Sequence, residues 1–255
     1  MIKFIKKNFY QPRRPFPITN PIAYHLKSSF FAKFMGIKPF SSLMYVIPSW
    51  RKKWSALDIN ERIVEVPFII KNLPQNTLAK ILDVGCCETI LPIQLASLGY
   101  KITGLDIRPY ELSHPNFSSI QAYIWQTNLS PEQFDMIICV STIEHIGLNT
   151  IYGKSNQKSS DKKAIKSMFS LLKPRGKLFL TTPAANKFTQ TKFMKIYTPK
   201  KIHQLLKDFE IIKEAYFAPN TKRSSWEICS SSQLPAMPNF GVATIIARKP
   251  VRSRK

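Results

Sequence analysis

The stretch from Lys80 to Arg108 constrains the fold more than any other part of the chain. Ile81, Leu82 and Val84 make a short apolar run with β-branched members, the pattern of a strand buried on both faces. Gly85 breaks the run. Leu91, Leu95 and Leu98 then recur at helical spacing, with Thr89 placed as a cap, Pro92 in the first turn and Gly99 as the stop. Ile102-Thr103-Gly104-Leu105-Asp106 reads as a second buried strand that ends in a carboxylate. Strand, helix and strand of these lengths form a βαβ unit of a parallel sheet, whose ligands bind outside the carboxyl ends of the strands.

The residues at those ends set the chemistry. Asp106 lies 23 residues after Asp83 at the tip of the second strand, where a carboxylate accepts hydrogen bonds from ribose hydroxyls. Gly85 stands where the backbone must come close to a ligand. Neither G-x-x-x-x-G-K-[ST] nor G-x-G-x-x-G is present. The loop therefore suits an adenosine ligand without a pyrophosphate.

Further along, Phe134–Val140 reads as a strand and Ser141-Thr142-Ile143-Glu144-His145 as its carboxyl end. Asp161 opens a helix carrying Ile165, Met168, Leu171 and Leu172, and Pro174 ends it; Lys177–Thr182 is a fifth strand. Thr198-Pro199 opens another helix, and Phe209–Phe217 with Val242–Arg248 close the sheet. Residues 146–160 and 184–197 read as variable loops, and 218–240, with Trp226 and three prolines, as a flap. Upstream, Ser55-Ala56-Leu57-Asp58 is a capping-box variant opening a helix. Its expected core stripe is Ile59, Ile63, Val66, Ile70 and Leu73, with Pro67 bending it.

ILDVGC (81–86), GLDIR (104–108), FDMIICVSTIEHIG (134–147) and LLKPRGKLFLTTP (171–183), in this order and spacing, resemble the motifs of class I S-adenosylmethionine-dependent methyltransferases. ERIVEVP (61–67) and the text after the first motif look like a bacterial subgroup of that family with no assigned substrate. The resemblance implies a doubly wound, Rossmann-like α/β sheet of seven strands in the order 3-2-1-4-5-7-6, strand 7 antiparallel. It implies S-adenosylmethionine as cofactor, held by Asp83, Gly85, Cys86, Cys87, Asp106, Ile107, Arg108, Tyr123 and Ser141.

Three positions depart from the family pattern: Cys87 and Thr89 stand for glycines and Tyr123 for an acid. The usual G-x-G-x-G loop reads Gly85-Cys86-Cys87-Glu88-Thr89; if Cys87 adopts the glycine's positive φ, the strain is on the order of 1 kcal/mol. Tyr123, in an expected third strand over 118–125, replaces the acidic residue that faces the adenine amino group, which leaves stacking to hold the base.

For catalysis, His145 is the chain's best base near neutral pH, since an imidazole's unperturbed pKa is about 6.5. Its partner Glu144 either joins it or shapes the pocket. Asp161 is either a helix cap or a carboxylate at the pocket mouth. STIEH stands where amino methyltransferases carry N/D-P-P-Y/F, which disfavours transfer to an exocyclic amine. Cys86, Cys87, Cys139 and Cys229 show neither a disulfide framework nor C-x-x-C metal spacing, so we expect reduced thiols, a cytoplasmic location and no metal.

The 255-residue chain carries a net charge of +23. Residues 1–57 hold eleven Lys/Arg and no acid, and Arg248–Lys255 holds five more; residues 58–247 keep 22 bases against 15 acids. Such termini read as solvated charge, or as contacts to RNA, to an anionic membrane surface or to an acidic partner. No apolar run is long enough to span a bilayer, and the start lacks the apolar core of a secretory signal. The expected layout is an N-terminal extension over 1–54 with six prolines and twelve aromatics, a catalytic domain over 55–248 and a basic tail over 249–255. The expected acceptor is a small molecule, a saccharide or lipid-linked glycan among them. The alternatives are RNA methylation, suggested by the basic arm, and a non-catalytic binding domain, suggested by the missing glycines.

Overall fold

The computed structural model describes residues 60–150, 153–154, 160–220, 225–236 and 239–251. The chain divides into two units, Met1–Arg62 and Ile63–Lys255, and all the described strands belong to the second. The expected boundary at residue 54 and the helix start at Ser55 lie outside the described residues.

Helix α1 (Arg62–Lys71) precedes β1 (Lys80–Val84). A 3-10 turn at Cys86–Glu88 joins β1 to α2 (Leu91–Ser97), which leads to β2 (Lys101–Asp106). There follow β3 (Phe117–Gln121), β4 (Phe134–Val140) and a small pair, β5 (Asn149–Thr150) with β6 (Gly153–Lys154). Next come α3 (Ser160–Leu171), β7 (Leu172–Ala184), a second small pair of β8 (Thr189–Gln190) and β9 (Lys195–Ile196), and α4 (Pro199–Leu205). The chain closes with β10 (Glu210–Asn220), β11 (Ser225–Cys229) and β12 (Gly241–Arg248).

The main sheet runs β3-β2-β1-β4-β7-β12-β10-β11. Neighbours from β3 to β7 pair in parallel, and β12 is antiparallel to both β7 and β10. The expected seven-strand order is present, with β11 added as an eighth strand at the edge. It comes from the segment read as a flap, where Trp226 and Ile228 alternate with polar residues.

Strand pleating explains why the central strands β1 and β4 carry apolar residues on both faces. Leu82, Val84, Ile137 and Cys139 face a core closed by α3 and α4, through Ala164, Met168 and Ile202. Ile81, Met136 and Ile138 face a second core closed by α1 and α2, through Phe68, Ile69, Leu91 and Leu95. Each such side chain contributes roughly 1.5–3 kcal/mol on burial. In α4, Thr198 caps as expected, its hydroxyl accepting the Lys201 N–H at 3.3 Å.

Three expectations need correction. In α1 the buried residues are Glu65, Phe68 and Ile69; of the expected stripe Val66 and Leu73 pack, partly buried, against the second core, whereas Ile63 and Ile70 are exposed. The helix is apolar on all sides (RIVEVPFIIK), so spacing alone does not select its inner face. The third strand ends at Gln121, before Tyr123, and a 3-10 turn follows at Ile124–Gln126. Strand β7 begins at Leu172 and runs through Pro174, which therefore separates no strand from the helix.

Candidate active site

The carboxyl ends of β1, β2, β4 and β7 converge on one side of the sheet, and the loops leaving them carry the expected site residues. Gly85 has φ 83°, and a Cβ there would lie 2.2 Å from Thr142 Oγ1. The close approach that requires glycine is thus made to the β4 tip, where the Thr142 hydroxyl donates to the Val140 carbonyl at 2.9 Å. Cys87 is free of the expected strain: the described non-glycine residues with positive φ are Glu132, Ser141 and Arg175. Its 3-10 turn uses ordinary backbone angles. Cys87 Sγ donates toward the carbonyls of Arg108 at 3.3 Å and Pro109 at 3.4 Å, tying the first loop to the second. Thr89 Oγ1 accepts the Leu91 N–H at 3.0 Å, although Ile90 is the residue at the cap position. The Cys86 thiol is pushed far up by its hydrogen bond with Cys87 and by burial, so it stays protonated. Asp83 is buried beneath the loop.

Asp106 is buried and accepts four hydrogen bonds. Oδ1 takes Arg108 N at 3.0 Å and Arg108 Nε at 3.1 Å. Oδ2 takes Cys87 N at 3.1 Å and Arg108 Nη2 at 3.2 Å. A carboxylate has about four lone-pair sites. The Arg108 guanidinium therefore holds positions that ribose hydroxyls are expected to use. The Ile107 carbonyl accepts Gln121 Nε2 at 3.1 Å, fixing this tip against β3. Tyr123 stacks on Trp125 with centroids 5.2 Å apart and planes at 17°, an aromatic ledge just after β3.

At the β4 tip, Ser141 takes φ 41° and its N–H bonds Thr181 O and Oγ1, both at 3.1 Å. Ser141 Oγ and Thr181 Oγ1 donate to one oxygen of Glu65, at 2.6 and 2.7 Å. Sequence reasoning passed over Glu65, although it precedes the buried Phe68 and Ile69 by three and four residues and so shares their helix face.

Beyond Ser141, Glu144 is buried and accepts the Thr182 hydroxyl at 3.2 Å. His145 Nδ1 lies 2.8 Å from the Phe193 carbonyl. A carbonyl only accepts, so Nδ1 carries a proton, and in the neutral ring the lone pair is on Nε2. Nε2 is 4.0 Å from Glu144 Oε1. The Phe193 ring meets the imidazole edge-on at 5.0 Å, in the turn between β8 and β9. Asp161 lies in the first turn of α3, its Oδ1 accepting Lys162 N at 2.8 Å and its Oδ2 Lys195 Nζ at 2.9 Å and the Tyr197 hydroxyl at 3.0 Å. Lys195 Nζ also donates to Ile146 O, and Lys195 N to Glu144 O. Burial pushes the Asp161 carboxyl up, but Lys195 outweighs it and the group ends below the usual carboxylate range. Burial and Asp161 both push Tyr197 up, so it remains a neutral donor.

A family model described as a methyltransferase domain matches residues 59–214, well over half of the chain. The chain belongs to the methyltransferase domain family. A ubiquinone biosynthesis O-methyltransferase from Xanthomonas euvesicatoria is 32% identical over 114 residues, 41% of this chain and 43% of that protein. The chain thus spans less than half the length of the curated relatives it matches. Among solved structures, a SAM-dependent methyltransferase from Methanosarcina mazei superposes with TM-score 0.53 at 19% identity, over 77% of this chain and 100% of that one. The 1,6-didemethyltoxoflavin-N1-methyltransferase of Burkholderia thailandensis does so with TM-score 0.53 at 13% identity, over 92% of each. These two likenesses concern the fold.

Within this methyltransferase domain the matched span runs from α1 into β10. It contains every expected site residue and also Glu65, Phe193, Lys195 and Tyr197, which the sequence did not single out. The structure gathers His145, Glu144 and, through Lys195, Asp161 around the β4 tip. Asp83, Gly85, Cys86, Cys87, Asp106, Ile107 and Arg108 lie on the neighbouring tips of β1 and β2.

Proposed function

We propose that the chain is an S-adenosylmethionine-dependent methyltransferase that methylates a hydroxyl of a small-molecule acceptor, with His145 as the base. The observation that carries this reading is the orientation of His145, with Nδ1–H held by the Phe193 carbonyl and Nε2 4.0 Å from Glu144. The pocket residues fit the cofactor: a buried carboxylate ends β2, Gly85 keeps the first loop tight, and an aromatic ledge lies after β3. Bound S-adenosylmethionine supplies a methyl group on a sulfonium sulfur, already activated for displacement. Asp106 would hold the ribose once Arg108 yields its place, and Tyr123 would stack against adenine.

His145 Nε2 would take the proton of the acceptor hydroxyl as its oxygen bonds the methyl carbon and the carbon–sulfur bond breaks, the thioether S-adenosylhomocysteine leaving, and the imidazolium so formed would be stabilised by the Glu144 carboxylate. Asp161 acts as a positioning residue. Through Lys195 it fixes the backbone at Glu144 and Ile146 on either side of His145. Phenolic and saccharide hydroxyls are acceptors of this class. The strain-free loop at Cys87 supports an intact cofactor pocket over a relic.

The test is methyl incorporation from labelled S-adenosylmethionine into panels of phenolic, saccharide and RNA acceptors, alongside calorimetry of S-adenosylhomocysteine. His145→Gln is expected to lower kcat about 10²- to 10⁴-fold with little change in cofactor affinity. Failure of the intact protein to bind the cofactor at millimolar concentration would refute methyl transfer. Transfer to RNA alone would refute the small-molecule acceptor.

A further inference from the structure

The amino-terminal ends of the parallel strands, opposite the site, carry a second organised surface. Sheet register places Lys101 opposite Lys80, Ile81 opposite Met136, Met136 opposite Lys177, and Lys177 opposite Arg248. Lys101 and Lys80 thus pair across β2 and β1, and Lys177 and Arg248 across β7 and β12, one residue out of step, all at the same end of the sheet over a span on the order of 20 Å at about 4.8 Å per strand; Arg248 is held there by Glu210 at 2.7 Å. Asp135 of the intervening β4 is engaged by Lys173 at 2.7 Å. Lys71, Lys101, Arg175 and Lys177 are exposed and form no ion pair with any described residue.

Exposed aliphatic side chains are interleaved with these bases. Nine large apolar residues are exposed among those described, and five of them lie at this end: Ile70, Leu78, Leu98, Ile212 and Val251. Each comes from a different segment, and the first four are each followed within three residues by a base: Lys71, Lys80, Lys101 and Lys213. The segments of Leu78 and Leu98 are neighbours, since a Cβ on Gly99 would lie 3.9 Å from Thr77. Leu78 is 74% exposed and Leu98 55%.

We propose that this face is a docking surface for an anionic phospholipid bilayer. Bases attract the acidic headgroups, and aliphatic tips enter the boundary between headgroup and acyl chain. RNA fits less well: of the guanidiniums here Arg248 is held by Glu210, and the five exposed apolar residues are aliphatic and offer no ring for a base to stack on. The site then faces away from the membrane, toward the aqueous phase.

Co-sedimentation of the full chain with phosphatidylcholine vesicles, with and without phosphatidylglycerol, tests this. Binding is expected only when phosphatidylglycerol is present, and it should fall as salt rises. The Lys101→Ala, Arg175→Ala, Lys177→Ala triple variant should bind about a hundredfold more weakly, from roughly 1 kcal/mol per base near the surface. Leu78→Ser with Leu98→Ser, which keeps every charge, should bind at least tenfold more weakly. All the replaced side chains are exposed, so thermal melting of both variants should match the wild type and a loss of binding would not reflect unfolding. Wild-type binding by either variant would overturn the proposal and assign any attraction to another part of the chain. Displacement of the protein from vesicles by single-stranded RNA, with the leucine variant unaffected, would overturn it in favour of a nucleic-acid partner.

Discussion

Replacing Arg108 by alanine should tighten cofactor binding. The guanidinium bonds both oxygens of Asp106, at 3.1 and 3.2 Å, with side-chain exposures of 18% for Arg108 and 6% for Asp106. Such a two-point, charge-assisted pair is stronger than an exposed ion pair, which is worth about 0–1 kcal/mol. It remains weaker than a fully buried pair, whose disruption costs about 3–5 kcal/mol. A value of about 1–2 kcal/mol follows, and a ribose that claims the carboxylate must overcome it. Arg108→Ala removes that competition and leaves the Cys87 and Arg108 backbone N–H groups to orient Asp106. The expected gain is roughly 5- to 30-fold in affinity for S-adenosylhomocysteine. Calorimetry on the wild type, Arg108→Ala and Asp106→Asn reads it directly, with Asp106→Asn expected to lose most of the binding. If Asp106→Asn loses affinity and Arg108→Ala loses it too, the guanidinium belongs to the bound state and the competition argument fails. If Asp106→Asn binds normally, the carboxylate is not the ribose seat.

The remaining predictions concern single side chains. In the wild type kcat should fall on the acid side as the imidazole protonates, and His145→Gln should lose that acid limb; an unchanged limb would exclude His145 as the base. Cys87→Ala, which removes two ties between loops but no backbone strain, should weaken cofactor binding a few-fold, and tighter binding would show that the thiol obstructs the pocket. Asp161→Asn leaves Lys195 buried without its carboxylate and should cost about 3 kcal/mol in denaturant unfolding. Because the Asp161 carboxyl is depressed in the fold, its contribution is present above the unfolded carboxyl's range and lost as pH falls through the folded value. The variant's stability should therefore decline less in acid than that of the wild type.

The βαβ unit was legible because strands buried on both faces carry apolar residues on both and the punctuation at Gly85 and Gly99 is unambiguous. The α1 stripe is right for Val66 and Leu73 but not for Ile63 and Ile70, since apolar residues surround the helix axis and spacing alone does not choose among them. Cys87 was misjudged because a glycine in a motif was taken to imply a glycine's backbone angles, whereas a 3-10 turn needs none. β11 pairs at the sheet edge with Ile228 largely exposed, so its alternation carried little burial signal. The tautomer of His145 depends on a carbonyl 48 residues away, a relation with no local trace in sequence.

The position of β12 has a consequence for how the molecule is made. It is synthesised after every other described strand, yet it lies inside the sheet between β7 and β10, with Gly241–Ala247 buried. Until it inserts, β7 presents an unpaired apolar edge, and the β10–β11 pair has no sheet to join. The nascent chain thus carries the edge geometry that invites strand-to-strand aggregation until Arg248 has emerged. Removing residues from Gly241 onward should therefore give an insoluble product, although all the described site residues would be present.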